Sequence, residues 1–97
     1  MSQLQVIAHH TIADGNEQEV IALLPGLIEA TRTEPGNVAF DAYRKLDDPR
    51  SYVLLERYAS REAFAAHRES AHFKDLVLGQ IAPRLERRVI EQFDVVG

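Results

Sequence analysis

Two runs of strand-like alternation, NVAFDAYRKL (37–46) and YVLLERY (52–58), stand on either side of the turn DDPRS. The first sets Val38, Phe40 and Ala42 against Ala39, Asp41 and Tyr43, the period of two that places alternate side chains on opposite faces of a sheet. A proline following two aspartates makes a turn, and strands joined by so short a loop form an antiparallel hairpin.

The flanks of this hairpin supply one helix and one strand each. Upstream, Leu4, Val6 and Ala8 alternate with Gln5, Ile7 and His9 in a first strand running to Ile12. ADGNEQEV then offers Asp14 or Asn16 as a helix cap, with Glu17 and Glu19 in the first turn where the helix dipole favours negative charge. Val20, Leu23, Leu24, Leu27, Ile28 and Thr31 form the core stripe of that helix, Pro25 predicts a kink, and TEPGN ends it. Downstream, Ser60 caps a helix to Arg68, Ser70 caps a continuation through Leu78, and Gly79 and Pro83 mark its end. LERRVIEQFDVV alternates again as a fourth strand. The order β-α-β-β-α-β predicts one domain over residues 1–97 with a ferredoxin-like α+β fold, an antiparallel sheet carrying both helices on one face. On the other face the alternation places Ile7, Tyr43, Val53, Leu55 and Ile90. A second copy docked sheet to sheet would cover them, so a homodimer closing a dimeric α+β barrel is expected.

Composition excludes several classes. The net charge is −4 and the eleven basic residues are scattered, which is unlike a phosphate-gripping surface, so no nucleic-acid partner is expected. Without cysteine there are no disulfides, thiolate metal sites or cysteine nucleophiles. No run approaches the roughly 20 apolar residues of a membrane span, and the opening MSQLQVIAHHTIADG lacks a basic leader and apolar core. No membrane partner and a cytoplasmic location are the expectations.

The chemistry-bearing residues are few. EAFAAHRESAHF (62–73) carries His67 and His72. Five residues apart, they sit about 140° from each other on a continuous helix and share no face, but a break at Ser70 would bring them together. His67, one turn after Phe64, points inward; His72 lies beyond the second cap and is the more accessible. Desolvation would push the His67 pKa below about 6.5 unless Glu56 is near, in which case it rises. A zinc site wants three or four convergent ligands, and with no HxxxH pair and no cysteine no metal is expected. His9 and His10 are neighbours on a strand and face opposite ways. Glu56 interrupts the apolar run YVLLERY and needs a partner or a role; Arg44 or an arginine of the fourth strand could pair with it across the sheet. Asn37, after Pro-Gly, suits loop-backbone hydrogen bonding. No glycine-rich phosphate loop or dinucleotide fingerprint is present, so no cofactor is expected.

The blocks EPGNVAFDAYR and DDPRSYVLLERYASREAFAAHRESAHFK, taken jointly, resemble the antibiotic biosynthesis monooxygenase domain family, small dimeric α+β-barrel proteins that include quinol monooxygenase-type members. The resemblance covers essentially the whole chain and implies a ligand site between sheet and helices, with Asn37, Phe40, Glu56 and Tyr58 contacting substrate and His67 and His72 as catalytic residues. Departures narrow the options. FKDLV lacks the histidine and VIAHH the asparagine of haem-degrading relatives, and Tyr58 stands where members acting on polycyclic phenols often have tryptophan. The resemblance thus implies a cofactor-independent monooxygenase using dioxygen on a small quinol-like or enolisable substrate. The alternatives are an isomerase of a hydroxy-ketone and a non-catalytic ligand-binding dimer.

Overall fold

A computed structural model of the chain describes residues 2–96. Its elements are β1 (Gln3–Ile12), α1 (Glu17–Arg32), β2 (Asn37–Arg44), β3 (Ser51–Tyr58), α2 (Arg61–Glu69), a π-helical segment α3 (Phe73–Ile81), a 3-10 turn (Ala82–Arg84) and β4 (Leu85–Val95). The strands form one antiparallel sheet in the order β2-β3-β1-β4, the ferredoxin-like arrangement.

Register decides which side chains meet. Val6 is opposite Glu56, Ala8 opposite Leu54 and His10 opposite Tyr52 across β1 and β3, and the buried positions alternate strictly along both strands. These inward residues pack with Val20, Leu24 and Leu27 of α1 and with Phe73, Val77 and Ile81 of α3 in the main core. A smaller cluster of Leu4, Val6, Tyr58 and Phe64 lies under α2. Α1 runs unbroken through Pro25 to Arg32. Asn16 stands at its cap position without a side-chain cap bond; its amide reaches instead to the Arg84 carbonyl. At the start of β2 the register shifts between Asn37 and Ala39, which leaves Val38 outside the alternation and 52% exposed.

The second helical region departs most from expectation. Ser60 caps α2 by accepting from the Ala63 amide, and Ser70 takes extended backbone angles (φ −68°, ψ 152°) that end it. The Ser70 hydroxyl donates to the His67 carbonyl and accepts from the Phe73 amide, so both caps form. The continuation does not stop at Gly79. It runs to Ile81 with wide turns, and the Ala82 amide donates to the Val77 carbonyl five residues back. A Cβ on Gly79 would lie 3.3 Å from the Lys74 carbonyl, so a residue without a side chain suits this winding.

The fourth strand also corrects one assignment. Ile90 is opposite Ala8, and Arg88 opposite His10, so both face the helices and Ile90 packs against the core. The uncovered face instead carries Ile7, Tyr43, Val53 and Leu55 together with Val89 and Phe93, of which Tyr43 and Phe93 are about half exposed.

Candidate active site

A cleft of about 450 Å³ opens between the second helical region and β4. Glu56 lies in its wall together with Phe64, Phe73, Ile90 and the basic residues Arg68 and Arg88. The alternation of β3 turns Glu56 inward, 5% exposed, in a row otherwise made of Tyr52, Leu54 and Tyr58. Its Oε1 accepts a 2.6 Å hydrogen bond from the Tyr58 hydroxyl. Burial raises the Glu56 carboxyl to a pKa of about 7, against the stabilising pull of Tyr58 and the charge of Arg88. Burial, then the charge and hydrogen bond of Glu56, push the Tyr58 phenol above its ordinary range. Tyr58 therefore stays a neutral donor. Of the two partners anticipated for Glu56, the β4 arginine is electrostatically coupled to it, whereas Arg44 turns away and donates to the Pro49 carbonyl.

Behind Glu56 stands His67, 2% exposed and ringed by Phe40, Tyr58, Phe64 and Phe73 with centroid separations of 5.1 to 6.2 Å. Its Nε2 is 4.0 Å from Glu56 Oε1 and its Nδ1 is 2.8 Å from Glu34 Oε2. The same Glu34 oxygen is 2.5 Å from His72 Nε2. The break at Ser70 thus does what a continuous helix could not: it swings His72 round to the partner that His67 uses. An ionised carboxylate only accepts, so the protons lie on His67 Nδ1 and His72 Nε2, which leaves His67 Nε2 free to accept on the Glu56 side. Burial holds the His67 pKa below its ordinary value, opposed by the hydrogen bond and charge of Glu34. Glu34 is the one member of the group that the sequence does not mark. It follows α1 in TEPGN, where a helix stop conceals a carboxylate, and only the sequence distance of 33 residues spanned by the fold explains why spacing gave no signal.

The six residues singled out by sequence take different places. Glu56 lines the cleft; Phe40, Tyr58 and His67 lie beneath it; His72 is at the opposite, more accessible side with 22% of its side chain exposed. Asn37 donates to the carbonyls of Ala39 and Arg57, where it satisfies the irregular start of β2, and it does not reach the cleft wall. Glu34, His67 and His72 do present three ligand atoms within 4.8 Å of one another, a convergence that spacing did not reveal; here they form a hydrogen-bonded trio. His10 and His9 face opposite ways as expected. His10 is buried against the Tyr52 hydroxyl at 2.7 Å, and burial depresses its pKa to about 4. His9 pairs with Glu91 on the open face at 2.6 Å.

The profile of the antibiotic biosynthesis monooxygenase family matches residues 4–77. The chain belongs to this family. Among its relatives is a Bacillus subtilis (strain 168) protein named "Putative monooxygenase YcnE", 27% identical over 72% of this chain and 74% of the relative. Rv0793 of Mycobacterium tuberculosis, described in the same terms, is 38% identical over 74% of this chain and 70% of the relative. The Rv0793 structure superposes with a TM-score of 0.90 at 31% identity, covering 99% of this chain and 97% of that one. A crystal structure described as an antibiotic biosynthesis monooxygenase also gives 0.90, at 30% identity over 97% and 99% of the two chains. This family member is thus monooxygenase-like in fold and sequence alike. The matched span includes Glu34, Glu56, His67 and His72 and ends before β4, the strand that brings Arg88 to the cleft.

Proposed function

We propose that the protein is a monooxygenase that needs no metal or organic cofactor and acts on a small quinol-like or enolisable molecule with dioxygen. The observation that carries this reading is a buried carboxyl, Glu56, with a pKa of about 7 in the wall of a cleft of small-molecule size. A base of that strength removes an enolic or phenolic proton at neutral pH. The resulting electron-rich anion gives one electron to dioxygen, the two radicals join as a carbon-bound peroxide, and the Glu56 proton returns to it. Loss of water then leaves a carbonyl, so a CH₂ carbon and O₂ become C=O and H₂O. Glu56 keeps the proton in between, being the stronger base of the two, while Glu34 and His72 hold the His67 ring in the tautomer that turns the Nε2 lone pair toward Glu56. This assigns Glu56 the contact with substrate and makes His67 and His72 the supporting pair that sets the polarity behind it. Phe40 and Tyr58, packed beneath the cleft, keep water from the side of Glu56 that faces His67.

An isomerase moving a proton next to the carbonyl of a hydroxy-ketone would use the same pair and differs in needing no oxygen. Oxygen uptake with a panel of hydroquinones and enolisable ketones separates them. We expect uptake that survives exhaustive chelation and falls by about 10²- to 10⁴-fold in Glu56→Gln with the fold retained. Uptake that is absent across the panel, or equal in the variant, would refute the assignment. We further propose that the working form is a homodimer joined through the uncovered sheet face.

A further inference from the structure

Arg68, near the end of α2, and Arg88, on the inward face of β4, reach the same cleft from opposite sides. Each guanidinium lies over an aromatic ring of the wall: Arg68 Cζ is 5.6 Å from the Phe64 centroid and Arg88 Cζ 6.0 Å from that of Phe73. A cation placed over a ring in this way is attracted to its face and still has N–H groups to donate elsewhere.

Charge accounting shows what those donors lack. Among the described residues Arg32, Arg50, Arg61 and Lys74 each pair with a carboxylate and Arg44, Arg57 and Arg84 donate to carbonyl or amide oxygens, whereas Arg68 and Arg88, like Lys45 and Arg87 outside the cleft, have neither kind of partner. The other two charges in the wall, Lys74 and Glu69, are spent on each other at 3.3 Å. That leaves two cations facing Glu56 alone, so the cleft is one negative charge short when Glu56 is ionised and two short when it is neutral. Arg88 also registers the imbalance: burial lowers its pKa and the charge of Arg68 lowers it further, against the opposing pull of Glu56. In a chain whose net charge is −4, an unneutralised pair of guanidiniums at a cleft concentrates anions there.

We propose that Arg68 and Arg88 form an oxyanion subsite, so that the cleft selects a small ring bearing a carboxylate or phosphate and directs its acidic hydroxyl to Glu56. The planar fork of each arginine matches either group. The inference rests on the cleft being the substrate site proposed above, and binding measured without oxygen tests it separately from turnover.

The experiment is an anaerobic calorimetric titration at pH 8 with three probes of one ring size: 2,5-dihydroxybenzoate, 4-hydroxyphenyl phosphate and uncharged hydroquinone. At least one anion should bind about tenfold or more tightly than hydroquinone, with the carboxylate and phosphate arms telling which group fits. That preference should weaken with salt and collapse in Arg68→Gln, in Arg88→Gln and in the double variant, with circular dichroism reporting an unchanged fold. Equal or tighter binding of hydroquinone, a preference that persists in the double variant, or no binding of any probe at millimolar concentration would each overturn the subsite. Anion preference without oxygen uptake would uphold the subsite and overturn the oxygenase reading. Uptake with hydroquinone at an undiminished rate in the double variant, joined to equal binding of all probes, would do the reverse.

Discussion

Glu56 occupies an inward position on β3 between Leu54 and Tyr58, where an apolar side chain would satisfy packing without a buried proton. Its carboxyl binds a proton up to about pH 7 in the folded chain against 4.5 unexposed to the fold. The folded state therefore holds more protons than the unfolded one between these values, and stability falls as pH rises through that window. His10, lowered from 6.5 to about 4, and His67, lowered in the same direction, act oppositely: their contribution is complete above 6.5 and is lost on acidification. The wild-type curve is a sum of these slopes, so the Glu56 part shows in a difference. Relative to Glu56→Gln, the wild type should lose roughly 3 kcal/mol of unfolding free energy between pH 4 and 8, measured by urea denaturation at each pH. A difference that stays flat would mean that Glu56 titrates normally and is no poised base.

The α2 element is held against the turn that carries Glu34 by an unusually close approach. A Cβ on Gly36 would fall 2.4 Å from Ala63 Cβ and 3.4 Å from its Cα, and the Gly36 carbonyl accepts the Ala59 amide at 2.9 Å just before the helix begins. His67 follows Ala63 by one turn, so this contact sets how near its ring comes to Glu34. Gly36→Ala should destabilise the protein by about 1 to 3 kcal/mol through overpacking, read as a lower denaturation midpoint. Adding Ala63→Gly should recover part of that loss by reopening the space. If Gly36→Ala is as stable as the wild type, the turn and α2 do not touch as described. This helix, its cap at Ser60 and the break at Ser70 are legible in the sequence because each cap has a local cause in a hydroxyl and a backbone amide. The π winding of α3 has no such local signal: FKDLVLGQI (73–81) reads as an ordinary apolar helix with a glycine near its end.

At the scale of the molecule, one sheet face is covered by helices and the other carries Ile7, Tyr43, Val53, Leu55, Val89 and Phe93 among the polar pairs His9–Glu91 and Arg57–Gln5. A patch of this make-up suits an isologous contact with a second copy. Sedimentation at micromolar concentration should give a dimer, and Phe93→Arg should shift it to monomer while the circular dichroism is kept. A wild type that sediments as a monomer would refute the proposed assembly.

The order of elements, the inward alternation of β1 and β3 and the two serine caps follow from period, propensity and hydrogen bonding within a few residues, and such causes are written along the chain. Which face of β4 turns inward is not legible in its sequence, and Ile90 points in where alternation alone places it out, because a strand with polar residues on both faces carries no preference until it is registered against β1. The same holds for the site. His67 and His72 drew attention as residue types, but their common partner Glu34 comes from another element, and the two arginines that face Glu56 come from α2 and β4. Only packing the helices on the sheet brings these groups together, since the interactions that select them act through space between segments that have no periodic relation in sequence.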